Sequence, residues 1–348
     1  MLKNSVCLIC LITVGSWQVA GEAADAGKLK IREMATGCDC SLRGSAVAGK
    51  AEAWVTGSKG TVLRTVDGGK TWRPVEVPDA EELDFRDIEI LKDGSVLLMA
   101  AGPGEASKLL RSIDSGMSWK VVLQNHDPNG FFDGLALDAV GQRGVLYGDP
   151  IDGQLDLYIT SDGGKNWKPV PRSDRPKLQE GEYGFAASGS GISVHESVVC
   201  VATGGEAARV WRSQDWGRAW TVAKTPVRAG NESSGIFSMV FLDAMTGLVV
   251  GGDYRQPELD EGNVARSLDG GKTWLPQPGV KLEHKACVRS LGQRNALVCG
   301  RTGVAVSWDA GETWQPVECG GYYTAAIDAA AKVAYLAGSE GRVAKIEW

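Results

Sequence analysis

Histidine is scarce in this chain: three residues among 348, none at metal-ligand spacing from another. His126 adjoins Asp127 and Pro128, while His195 and His284 fall near expected strand starts or turns, so packing or surface roles are expected and no metal site is predicted. Glycine is abundant, yet no GxGxxG run leads from a strand into a helix, which removes the support for a nucleotide-dependent oxidoreductase and predicts no cofactor. The Ser–His–Asp arrangement lacks a nucleophile-elbow motif, and no catalytic residue is assigned. Past the N-terminus no segment is long and apolar enough to cross a bilayer as a helix. Positive charge is not in excess either. The net charge is −6, and this mild acidity argues against nucleic acid as a partner.

What is present begins with a leader. Lys3 precedes an apolar run from Val6 to Val14, followed by small residues, with cleavage expected after Ala23 or Ala26. This is the pattern of a secretory signal peptide over residues 1–26, and it predicts an exported protein, periplasmic or extracellular. The leader holds Lys3, Glu22 and Asp25, one net negative charge, so the mature chain carries −5. Six cysteines follow it: Cys38, Cys40, Cys200, Cys287, Cys299 and Cys319. Cys287 and Cys299 flank the turn Gly292-Gln293-Arg294 nearly symmetrically, which suits a cross-strand disulfide, whereas Cys38 and Cys40 are too close for an easy mutual bridge. Free buried thiols are the alternative.

The dominant feature is a phrase that occurs six times. Its first copy is Thr65-Val66-Asp67-Gly68-Gly69-Lys70-Thr71-Trp72. The others place Asp114, Asp162, Asp215, Asp269 and Asp309 at the same offset from Trp119, Trp167, Trp220, Trp274 and Trp314. Asp and Gly between β-rich runs signal a tight hairpin in which the carboxylate accepts loop N–H groups and Gly supplies a positive φ. Six of the twelve tryptophans occupy this slot, which makes it a packing position. The six aspartates are too far apart to converge on one site and read as structural turn residues. The phrase is the Asp-box, or bacterial neuraminidase repeat, and resembles that of sialidases, sortilin-type receptors and photosystem II assembly factors.

Each Asp-box is expected to join the third and fourth strands of a four-stranded blade. Six blades follow: from Leu42, from Phe85 to Gln124, from Phe131 to Val170, Tyr183–Ala223, Ser234–Gln277 and His284–Val317. A tail supplies three strands of a seventh: Thr324–Ile327, Val333–Gly338 and Val343–Glu347. The fourth strand is expected at Lys28–Met34, closing the ring through the two termini. The expected fold is therefore all-β, a single seven-bladed β-propeller domain over residues 27–348.

Function is expected on the loops. Insertions fall at Gly148–Gln154, Arg172–Gly181 and Gly252–Gly262, and the turns between second and third strands open on one mouth. That mouth is expected to carry Asp149, Asp152, Arg209, Asp253, Tyr254 and Arg301, with Glu182 beside them. The starts of the innermost strands add Asp133, Ser188 and Ser238 near the axis. Asp149, Arg209, Asp253 and Tyr254 are the expected core of a contact face.

Several stretches resemble the photosystem II stability/assembly-factor-like family of Asp-box propellers over nearly all of the mature chain. They are Phe131–Gly134, Gly148–Gly153, Glu180–Glu182, Ala186–Gly189, Thr203–Gly205 with Ala208–Val210, Gly235–Ser238 and Gly251–Tyr254. The resemblance implies a seven-bladed propeller that docks proteins, a monomer whose partner is a subunit of a membrane complex. The assembly role in that family tends to involve a basic patch, which the sequence does not locate. The alternative is a carbohydrate-active propeller, sialidase-like or using Asp149 and Asp253 as a carboxylate pair, with a glycan or small molecule as ligand. The Arg-Ile-Pro motif usual in the first blade of sialidases is absent, Arg43 being followed by Gly44.

Overall fold

The computed structural model describes residues 29–348, so the leader and its cleavage site lie outside the described residues. Strand Val96–Ala101 shows how the sequence sets the architecture. It is apolar on both faces, unlike the alternating strand of a half-solvated sheet. Val96, Leu98 and Ala100 pack into one hydrophobic cluster, and Leu97 and Met99 into another. A sheet buried on both faces needs a neighbour on each side, and a ring of blades supplies both.

Seven four-stranded antiparallel units form that ring, all of their strands belonging to an all-β propeller. Blade one is Leu42–Ala48, Glu52–Gly57, Val62–Thr65 and Arg73–Pro74. The inner strands of blades two to seven are Asp84–Ile90, Phe132–Leu137, Ile192–His195, Ser234–Phe241, Cys287–Gly292 and Thr324–Asp328. Seven apolar clusters lie between them, one at each junction of neighbouring blades. The last blade is completed by the N-terminal strand Lys30–Ala35, paired with Arg342–Glu347 from Lys30 opposite Glu347 to Ala35 opposite Arg342. Ring closure thus rests on the two ends of the chain, as their sequences predict.

The Asp-boxes are self-satisfied turns on the face opposite the loops of the mouth. Asp309 accepts from the Thr313 N–H at 2.9 Å, from Thr313 Oγ1 and from Ser307 Oγ, while Ser307 Oγ accepts the Gly311 N–H at 2.7 Å. The second glycine of every box has positive φ, and a Cβ at Gly311 would lie 2.5 Å from Leu248 of the preceding blade. Backbone conformation and inter-blade contact both require glycine there.

Two expectations are corrected. Blade four does not begin at Tyr183. Glu182–Tyr183 pairs with Gly204–Gly205, and Gly204 with Gly235, so this ribbon is joined to the sheet of blade five. The blade starts at Ile192 because Gly184, Gly189 and Gly191 interrupt any longer strand. The cysteines also differ from expectation. Cys38 and Cys40 are disulfide-bonded, their Cα atoms 5.5 Å apart and so within bridging range. Cys287 and Cys299 face each other in register as free thiols, sealed inside the blade six–seven core.

Candidate functional site

The inner strands carry a shared irregularity at the mouth. In blades one, two, three and five the register slips by one residue, between Leu42 and Gly44, Phe85 and Asp87, Phe132 and Gly134, and Ile236 and Ser238. The residues left unpaired are Arg43, Arg86, Asp133 and Phe237. A β-bulge turns its extra residue out of the ladder, and here all four line one cavity of about 430 Å³ on the propeller axis. His284, Arg301 and Tyr323 complete it from blades six and seven, and the segment Tyr183–Ala187 closes the remaining side.

One wall is cationic. The Arg43 guanidinium lies 4.6 Å from the Tyr323 ring centroid. Burial and the neighbouring Arg86 lower its pKa, with Arg301 adding to the effect. Arg86 donates to Asp84 at 2.8 Å and to the Ala186 carbonyl at 3.2 Å. Arg301 donates to the Tyr254 carbonyl. Among the described residues neither Arg43 nor Arg301 forms an ion pair. Like charges held together in a partly desolvated wall, with Asp84 on Arg86 as the one carboxylate in contact, favour an incoming anion.

The opposite side is acidic and aromatic. Asp133 is buried, and its carboxyl lies against that of Asp149. Burial, then the charge of Asp149, raises the Asp133 pKa, and burial pushes Asp149 up to about 6. The Gly184 N–H donates to Asp149 at 3.1 Å. Phe185 stacks on Phe237 with centroids 4.0 Å apart, and His284 meets Phe237 edge-on at 4.6 Å. His284 is 4% exposed and neither ring nitrogen has a partner. Burial, with Arg301 and Lys285 nearby, lowers its pKa to about 4 and keeps it neutral.

Of the ten residues predicted for the mouth, four line this cavity: Asp133, Asp149, Tyr254 and Arg301. The others lie elsewhere. Arg209 and Glu182 form a buried ion pair, to which Thr203 and Trp211 also donate. Burial pushes the Glu182 carboxyl up, but the bonds from Arg209 and Thr203 outweigh it and its pKa is low. Asp253 is buried in a turn, accepting the Arg255 N–H at 2.9 Å and Asn231 Nδ2 at 3.2 Å. It therefore does not share the cavity with Asp149, as the carboxylate-pair alternative supposed. Asp152 is on the surface, paired with Arg172 at 2.7 Å. Ser188, Ser190 and Ser238 form a buried chain of hydroxyls, each contact 2.6 Å.

Sequence reasoning missed Arg43, Arg86, Phe237 and His284 as lining residues because it looked to insertions and outer turns. The signal was in the repeat itself. Leu42-Arg43-Gly44, Phe85-Arg86-Asp87, Phe132-Asp133-Gly134 and Ile236-Phe237-Ser238 occupy equivalent positions near the start of the inner strand. In each the first residue is large and apolar, the third is Gly, Asp or Ser, and the middle one supplies the chemistry of the cavity wall.

Comparison with known proteins places this architecture. The family model described as photosynthesis system II assembly factor YCF48 matches residues 32–172. The photosystem II assembly protein Ycf48 of a Synechococcus species is 24% identical over 267 residues, covering 64% of this chain and 70% of that protein. The chloroplastic photosystem II stability/assembly factor HCF136 of Arabidopsis thaliana is 30% identical over 121 residues, 33% of this chain and 27% of that protein. Among solved structures, YCF48 bound to D1 peptide superposes with a TM-score of 0.65 at 15% identity, covering 91% of this chain and 97% of that one. YCF48 from Cyanidioschyzon merolae gives 0.63 at 18%, with 91% and 98% covered. At these identities the superpositions establish the shared fold.

Proposed function

We propose that this chain, a seven-bladed Asp-box propeller of the photosystem II stability/assembly-factor-like family, is an exported, non-catalytic docking scaffold. In this reading the axial cavity receives an acidic segment of a protein partner. The carrying observation is the cluster of Arg43, Arg86 and Arg301, two of them without an ion-pair partner, facing stacked aromatic rings. Guanidinium groups recognise carboxylates through paired donors, and aromatic faces take the apolar part of a peptide. The similar YCF48 structure, bound to D1 peptide, supports a peptide as the kind of ligand. The basic patch that the family resemblance implies is supplied by this wall.

Export is supported by the signal-peptide pattern of residues 1–26. Its test is N-terminal sequencing of the protein from fractionated cells. Recovery of the intact leader in the cytoplasm would overturn it.

The docking test is a cross-linking capture from the protein's own cells, comparing wild type with the double variant Arg43→Ala/Arg301→Ala. Wild type is expected to retain a membrane-complex subunit or its precursor, and the double variant to lose it while keeping its melting temperature within a few degrees. Equal recovery by both would place docking elsewhere.

A further inference from the structure

Two carboxyls, Asp133 and Asp149, stand side by side in the cavity lining. A propeller axis can be filled by hydroxyls, as it is at Ser188, Ser190 and Ser238. Asp133 instead stands at the bulge equivalent to Arg43 and Arg86, directly across a cavity that the docking reading assigns to an anion. The charge count at the mouth is finely balanced. Three guanidiniums, Arg43, Arg86 and Arg301, face Asp84 and the Asp133–Asp149 pair. Glu232 is neutralised outside the count by Arg255. With one proton between its carboxyls the pair carries a single negative charge, and the mouth keeps one net positive charge. Loss of that proton cancels it.

We propose that Asp133 and Asp149, side by side in the cavity lining, share one proton as part of the docking site, so that binding of a carboxylate ligand requires the pair to be singly ionised and fails as the pair becomes doubly ionised. This deepens the docking reading above and rests on it. The groups facing the pair are Arg86 from blade two, Tyr147 from its own blade, Asp87 on the blade two side and Tyr183 from the crossing segment. Only Arg86 is cationic. A second charge on the pair would draw on Arg86 and oppose the ligand at the same time. Asp87 cannot substitute for the pair, because its two oxygens already accept the Ile88 and Leu135 N–H groups at 2.9 and 3.0 Å. Asp149 is the member that reaches the cavity less buried, and burial places its step at about 6.

The proposal is tested on the mature chain by isothermal titration with 3-phenylpropionate, a carboxylate on an aromatic body. Its charge is constant between about pH 5.5 and about pH 8. Proton linkage then gives an affinity that falls by up to about tenfold per pH unit above the step of the pair. The variant D149N leaves Asp133 as the only carboxyl, so that the pair can hold at most one negative charge. It is expected to lose the steep fall in affinity that wild type shows above the step, whatever its affinity at about pH 5.5. Independently of any variant, carbon-13 titration of the carboxyls in wild type is expected to show the step of the pair moving to higher pH when the probe is bound. A pH-independent affinity in wild type, an undiminished pH dependence in D149N, or an unmoved carboxyl step would each overturn the proton coupling while leaving docking intact. No binding at any pH would overturn the docking reading and this one together.

Discussion

Aspartates at the two ends of this propeller have opposite electrostatic fates. On the box face, Asp309 accepts the Thr313 N–H and the hydroxyls of Thr313 and Ser307, and these bonds overcome burial to hold its pKa low. At the mouth, Asp133 and Asp149 have each other and little else, and burial raises both. Glu182 shows that burial alone does not decide the matter. Its side chain is sealed, yet Arg209, Thr203 and Trp211 hold it ionised. The number of donors supplied to the charged form separates scaffold carboxylates from the pair in the cavity.

That comparison can be broken most strongly at Glu182. If the buried pair is scaffold, Arg209→Ala strands a buried carboxylate and costs about 3–5 kcal/mol in urea unfolding, with folded protein retaining its affinity for the captured partner. A loss below about 1 kcal/mol, or a selective loss of partner, would return Arg209 to the docking site. Next in size is the box turn. Ser307→Ala removes the acceptor of the buried Gly311 N–H and a donor to Asp309, at an expected cost of about 1–3 kcal/mol in the same measurement. An effect near zero would mean that the turn is held by its tryptophan and not by its hydrogen bonds.

The pH dependence sharpens the contrast, because the two sets of carboxyls act with opposite sign. Asp309 has a depressed pKa, so its contribution is full above its unfolded value near 4 and is lost on acidification. Asp149, raised to about 6, contributes fully below its unfolded value and loses that contribution as the pH rises through about 6. Urea midpoints are therefore expected to fall on both sides of mildly acidic pH. D149N should flatten the upper limb by up to about 3 kcal/mol and leave the lower limb unchanged. An unchanged upper limb would show that the pair does not hold its proton in the free protein.

The smallest expected effect is a gain. The first glycine of the box is replaced by Ala310 in blade six, where φ is 61°. A side chain is strained there, so Ala310→Gly is expected to raise stability by about 0.5–1 kcal/mol, offset in part by the lost methyl contact. Thermal unfolding that instead fell by more than about 1 kcal/mol would give the packing of Ala310 priority over its backbone.

Much of the architecture was legible in the chain because its determinants are local. An Asp-box is closed by bonds spanning two to four residues, from Ser307 to Asp309 and Gly311 and from Asp309 to Thr313, so eight letters suffice to find it. Six boxes and a tail of three strands counted seven blades, and Lys30–Ala35 supplied the missing strand. The site was legible only in part. Asp149 lies near the end of a second strand and Tyr254 just past one, where a mouth was expected, while Arg43 and Arg86 lie inside inner strands. Bulges that shift the ladder by one residue turn them into the cavity, and one residue is within the uncertainty of any strand drawn from sequence.

The sequence by itself determined the repeat, the turns and the order of the strands, since each depends on residues within one hairpin. Tertiary structure alone decided which polar residues meet at the axis, that Arg209 is consumed by Glu182 and that Asp133 is buried against Asp149. Those outcomes depend on distance and desolvation between strands contributed by different blades, and no spacing along the chain encodes either.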